Sequence, residues 1–221
     1  MNRRVLKEAW LAGFLILGVL WLAKQTAARA PGIGSLILTA AVAAQLYGPI
    51  LRVGKRGVTW NSLGLRADRL RRDGRSFALA SLVTLPLYAL GFHFWQTYSL
   101  GRTFVFGTPP GFWLHLLTQT VVLALAEEVF FRGYLQERFD TGWGRKMRRI
   151  WGAEVGWGLF AASAFFAVAH FVGEWNPARL GPFFPSLVFG WLRARTGTVV
   201  SATAYHTLCN ALADVLFASY R

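Results

Sequence analysis

Three short patterns hold most of the side chains in this chain that can do chemistry: Glu127-Glu128-x-x-x-Arg132, Phe166-x-x-x-His170 and His206-x-x-x-Asn210. Each lies in or at the edge of an apolar run. The first closes about 24 residues, Thr103 to Ala126, that carry no formal charge. An ionisable group in lipid is expensive, so such groups usually face a protein interior or a wet cavity and act there. Glu128 and Arg132 are four apart, on one helix face in the favourable Glu-before-Arg order. Glu127 lies about 100° round the same helix. One acid is therefore neutralised by its own helix and the other is left free. Taken alone, the stretch reads equally well as a charge cluster that anchors a helix end at the membrane surface.

The other two patterns give the free acid partners. A carboxylate beside an imidazole can hold a water molecule and take its proton, making a nucleophile for a carbonyl carbon. A second imidazole with an amide offers donors to a developing oxyanion. Together these groups suffice for amide hydrolysis by water without a covalent intermediate. Glu with two His is also a known zinc ligand set. There is no His-Glu-x-x-His pattern, and three helices would have to supply the ligands, so zinc is the lesser alternative. Counting about 1.5 Å per residue puts Glu127 roughly 15 Å and His206 roughly 20 Å from one face of a ~30 Å core. His170 falls nearer that face, a mismatch of about two turns.

These patterns need helices to position them, and the composition provides them. The 221 residues are 54% hydrophobic and 15% charged, with a mean hydropathy of +0.38. Soluble domains run near 25% charged. The charges are clustered, leaving uncharged stretches of the roughly 20 residues that cross a bilayer. We read a single all-α polytopic membrane domain of about seven spans. They are a retained first helix over 9–23, then 30–51, 76–98, a fourth from Phe112 through Phe139, 151–171, a short tilted or re-entrant sixth over 184–192, and 199–220. Ala28-Arg29-Ala30 imitates a signal-peptide cleavage site, but Pro31 and the later spans argue against cleavage. Between the spans lie a basic loop over 52–75, a turn at Gly107–Gly111, a basic loop through Arg149, and a loop over 175–185 broken by three prolines.

The net charge of +14 falls in the gaps between apolar runs, which points to a membrane and away from nucleic acid. With the N-terminus inside, 18 basic residues lie on the inner side and 5 on the outer. Arginine outnumbers lysine 20 to 4, consistent with a GC-rich bacterial genome, so a bacterial plasma membrane is expected. One cysteine, Cys209, excludes an internal disulfide framework and reads as a packing residue. His93 and His115 read as interfacial, and Glu154 and Glu174 as solvated. Asp214, two turns from His206, is a further candidate for the site.

The three patterns, in this order and on separate apolar helices, resemble the CPBP family. That family contains the CAAX prenyl endopeptidases of the Rce1 type and bacterial relatives linked to bacteriocin self-immunity or protein sorting. The resemblance covers about 112–216, while residues 1–100 match only in being helical spans. It implies that Glu127 with His206 activates water, that His170 and Asn210 stabilise the oxyanion, and that Glu128, Arg132 and Phe166 support the site. It also implies a glutamate-dependent reaction without a metal cofactor and a membrane-anchored protein or peptide substrate. A peptide-binding immunity protein would have no need of all four catalytic groups. A proton-coupled transporter would use buried acids, but the chain shows no inverted repeat.

Overall fold

The computed structural model describes residues 1–221 and is helical almost throughout. Helix α1 spans Arg3–Ala27, α2 Pro31–Ile50, α3 Trp60–Leu63 and α4 Leu70–Phe94, the last continued by a π turn over Trp95–Ser99. Helix α5 is one run, Phe112–Gly142. An antiparallel hairpin follows, β1 Arg148–Ile150 with β2 Ala153–Val155. Then come α6 Trp157–Phe171, a 3₁₀ turn Pro177–Leu180, α7 Phe183–Thr196 and α8 Val200–Ser219.

Local chemistry sets several of these boundaries. The Asn2 side chain accepts the Val5 N–H and caps α1. Pro31 opens α2, where its missing N–H is not needed. Thr59 and Ser62 cap α3 reciprocally. Gly64, at φ +73°, ends it in the left-handed conformation that glycine takes without strain.

Helices α1, α2, α4 with its π turn, and α5 are long and apolar enough to cross a membrane. Helices α6 and α7 have 15 and 14 residues, and α8 has 20 residues diluted by Thr, His, Asn and Asp. The all-α polytopic reading holds, but four helices, fewer than the expected seven, meet both length and apolarity. Other boundaries move as well. Residues 148–155 form the hairpin, with Trp151 and Gly152 at φ +45° and +77° in its turn, so the fifth apolar helix starts at Trp157 and not Trp151. Helix α4 starts at Leu70, which puts Arg71, Arg72 and Arg75 in a helix and not in the basic loop. The sixth apolar stretch lengthens into α7 and takes in Arg193 and Arg195.

Polar contacts gather at two ends of the bundle. At one end Glu8 holds Arg4, Arg56 and Arg138, Arg193 donates to the Ser62 carbonyl, and Arg195 donates to Ser76 Oγ. At the other, Lys24 and Arg179 hold Glu174, and His93 meets the Tyr220 hydroxyl. These groups match the inner and outer residues that the charge count separates. Helix α7 follows Arg179 and ends at Arg193 and Arg195, so it runs from one end to the other. The two chain termini therefore lie at opposite ends.

The core sits around the second half of α5, where Phe131, Leu135 and Phe139 pack in one apolar cluster with Phe165 and Phe166 of α6 and Phe189 of α7. Two glycines allow the close approaches. A Cβ on Gly133 would lie 2.4 Å from the Leu63 carbonyl oxygen, and one on Gly158 would lie 2.3 Å from that of Gln136. The first lets α3 press on α5. The second seats the start of α6 on α5, where the Gly158 N–H donates to Asp140 Oδ1 at 2.7 Å.

Candidate active site

Helix α5 carries Glu127 and Glu128 between two π-helical stretches, Gln119–Ala124 and Val129–Gln136. Such turns rotate the side chains that follow and recur at functional sites. Glu128 and Arg132 have no solvent exposure, and Arg132 Nε lies 3.2 Å from Glu128 Oε2. The guanidinium lies over the Phe166 ring at 4.8 Å and the Phe189 ring at 5.3 Å, and it donates to Ser186 Oγ at 3.2 Å. A buried cation thus has a carboxylate, a hydroxyl and two aromatic faces. The i, i+4 pair read from the sequence is present.

Helix α8 brings His206 onto both acids. Its Nδ1 is 3.0 Å from Glu128 Oε1, and its Nε2 is 3.7 Å from Glu127 Oε2. The ring stacks on Phe189 with centroids 4.6 Å apart and meets Phe166 edge-on at 5.6 Å. A carboxylate only accepts, so the Nδ1 proton points at Glu128, and when the ring is neutral Nε2 carries the lone pair that faces Glu127. Two acceptors then face each other at a distance too long for a direct hydrogen bond. Glu128 therefore does more than neutralise Arg132. It also fixes the tautomer and the orientation of His206, which helix geometry within α5 could not show.

His170 ends α6. Its Nδ1 bonds the Phe166 carbonyl at 2.9 Å, its ring lies 4.6 Å from that of Phe166, and its Nε2 makes no bond. Lys24, near the end of α1, donates to the His170 carbonyl at 3.0 Å and pairs with Glu174 at 3.2 Å. Burial pushes the Glu174 carboxyl up, but the hydrogen bonds from Lys24 and Arg179 more than offset this and hold it below the usual carboxylate range. Glu174 is exposed, as the solvated reading expects, and is also paired with both cations.

Asn210, one turn after His206, donates from Nδ2 to Gln119 Oε1 of α5 at 3.2 Å. Gln119 Nε2 lies 3.0 Å from His115 Nε2, and that nitrogen lies 3.4 Å from Asp214 Oδ2. Asp214 thus lies beside His115 and does not reach the glutamates. His170, His206 and Asn210 all line one cavity of about 810 Å³, walled by α4, α6, α7 and α8. The depth mismatch counted from the sequence does not keep them apart. Neither glutamate lines the cavity. They sit beyond His206, with the Glu127 side chain 14% exposed. His170 has no polar contact with either acid and joins them through Phe166.

Sequence reasoning missed Gln119, Lys24 and Ser186. The His115/Gln119 and Asn210/Asp214 spacings of four were a visible signal for Gln119. Lys24 and Ser186 had none, because only tertiary packing brings them in. The donors do not fit a three-ligand zinc site. No three His, Cys, Asp or Glu side chains converge at ligating distance, and Glu128 is already committed to Arg132 and His206.

Residues 109–212 match the family model described as type II CAAX prenyl endopeptidase Rce1-like. No curated protein and no solved structure matches the chain. The matched segment contains all of Glu127, Glu128, Arg132, Phe166, His170, His206 and Asn210. Residues 109–212, a little under half of this helical membrane protein, are thus similar to the Rce1-like family of CAAX-type endopeptidases.

Proposed function

We propose that the protein is an intramembrane endopeptidase in which Glu127 and His206 activate water against a peptide bond of a membrane-associated substrate. The observation that carries this reading is the setting of His206, with Nδ1 on Glu128 and Nε2 facing Glu127 across 3.7 Å at the wall of an apolar cavity. Two facing acceptors are satisfied by a shared donor. A water about 2.8 Å from each stands at the apex of a triangle on that base. Its oxygen attacks the carbonyl carbon as Glu127 takes the proton. His206 holds the water through Nε2, and Glu128 on Nδ1 keeps that lone pair aimed at it, the orienting work that a buried carboxylate does behind a catalytic imidazole.

The oxyanion faces the Asn210 amide. His170 spends its Nδ1–H on the Phe166 carbonyl, so its neutral ring offers Nε2 only as an acceptor. This geometry makes His170 an acceptor at the cavity wall and not a neutral oxyanion donor, and the departing amine takes the proton that Glu127 received from the water as the C–N bond breaks. The reaction needs no metal. The cavity, within the roughly 300–1,000 Å³ usual for ligand sites, suits the apolar C-terminal segment of a membrane-anchored substrate, in maturation or C-terminal sorting. The arginine-rich composition supports a bacterial plasma membrane as the location.

The test uses purified protein in detergent and an internally quenched peptide with a prenylated cysteine three residues from its C-terminus. Cleavage is expected, and Glu127→Gln should lower kcat by roughly 10³-fold or more at unchanged protein level. Full turnover by Glu127→Gln would sink the assignment. Activity lost to a chelator and restored by zinc would overturn the metal-free reaction.

A further inference from the structure

Helices α5 and α8 meet along an antiparallel polar seam that extends beyond the glutamates. Its rungs are Glu127 and Glu128 with His206, Gln119 with Asn210, and His115 with Asp214. The last two rungs are joined by the 3.0 Å contact between Gln119 Nε2 and His115 Nε2. The first rung holds the proposed nucleophile. The second holds the one hydrogen bond of the Asn210 side chain. We infer that Gln119 is a positioning residue that sets which end of the Asn210 amide faces the cavity. The inference rests on the role proposed above for Asn210.

The reasoning is one of donors and acceptors. An asparagine amide offers an oxygen at one end and two N–H groups at the other. Only an N–H can stabilise an oxyanion. Gln119 Oε1 accepts one N–H from Asn210 Nδ2 at 3.2 Å, which turns the nitrogen toward α5 and leaves its second N–H for the cavity that Asn210 lines. With Gln119 Oε1 turned to Asn210, the Gln119 amide nitrogen faces His115 Nε2, which accepts from it in the tautomer protonated at Nδ1 and then only lies beside Asp214. If Gln119 turned over, two NH₂ groups would face each other and Asn210 would turn over as well. The three side chains are therefore set as a unit from the exposed end of the seam. Gln119 lies in the π-helical stretch Gln119–Ala124, so the distorted segment carries the partner of the oxyanion donor and leads directly into the α-helical turn Leu125–Glu128 that carries the nucleophile's base.

The experiment compares Gln119→Leu and Gln119→Glu with the native enzyme on the quenched prenylated peptide, with melting temperature as a folding control. Gln119→Leu should lower kcat about 10- to 100-fold with KM nearly unchanged, since loss of a whole oxyanion donor costs about 10²–10³. Gln119→Glu keeps an acceptor toward Asn210 and should stay within about threefold of native. A second readout needs no turnover: the Asn210 side-chain ¹⁵N–H₂ resonances, identified by their loss in Asn210→Ala, should shift in Gln119→Leu and remain near native in Gln119→Glu. Native kcat in Gln119→Leu, with Glu127→Gln inactive, overturns the inference and leaves the protease reading standing. A Gln119→Glu variant as slow as Gln119→Leu also overturns it. If the native protein fails to cleave the peptide, or Glu127→Gln cleaves equally well, the protease reading falls, and unmoved Asn210 resonances in Gln119→Leu would then overturn the positioning role on their own.

Discussion

Helices α4 and α5 look alike in composition and behave as opposites. With its π turn α4 runs 30 residues and α5 runs 31, and both are apolar enough to span a membrane. Yet 6% of the apolar window is buried in α4, against 33% in α5. Helix α4 turns Leu79, Leu82, Leu90 and Phe94 outward, whereas every residue of Val129–Gln136 in α5 is buried. The contrast recurs within α5, whose first half exposes Trp113, Leu114 and Leu117. Charge can sit in an apolar helix where other helices wrap it, because its cost depends on what the side chain faces and not on the helix that carries it. Helix α4 serves the site as one wall of the cavity and through the hydrogen bond of Thr84 with Tyr205, the neighbour of His206.

Substitutions can break this comparison. The largest effect is expected in the wrapped half of α5. Glu128→Ala leaves Arg132 as an uncompensated buried cation and should cost about 3–5 kcal/mol, read by denaturant unfolding in detergent, with turnover lost as His206 loses its anchor. A smaller effect is expected at the clamp between α1 and α6. Lys24→Met removes the donor to the His170 carbonyl and one partner of Glu174, but the lysine is partly exposed, so about 1 kcal/mol and a few-fold drop in kcat are expected. The smallest lies on the outer face of α4. Leu82, 76% exposed, packs on almost nothing, and Leu82→Ala should stay within about 0.5 kcal/mol with native activity. If Leu82→Ala costs as much as Glu128→Ala, the division into a wrapped helix and an outward-facing one is wrong.

What the sequence revealed follows from range. Glu128 with Arg132 and His206 with Asn210 are contacts or faces within one helix, fixed by a repeat of 3.6 residues, and such spacing can be read directly. The apolar runs and the sided charge were legible for the same reason. The bonds of His206 to Glu128 and of Asn210 to Gln119 depend on how two helices are rotated against each other, which one helix's periodicity does not encode. Glu128, read as the acid that pairs with Arg132 and supports the site, also meets His206 across the two helices. The hairpin at 148–155 escaped because its Trp151, Ala153 and Val155 read as the opening of an apolar helix. Its turn is set by two positive-φ residues, and its tip is held by the Trp191 indole and the Arg195 guanidinium, which donate to the carbonyls of Ile150 and Trp151.

The rim of the cavity has a consequence for how turnover would depend on the surroundings. Leu87, Phe184 and Phe217 line it and are also largely exposed, so the path to His206 opens through an apolar border. A substrate arriving that way diffuses in two dimensions, and its encounter rate depends on how many substrate molecules share each unit of membrane area. Adding inert lipid at constant bulk concentrations would then slow cleavage by surface dilution. Crowding the same molecules into a smaller patch of bilayer would speed it, with no change in the enzyme.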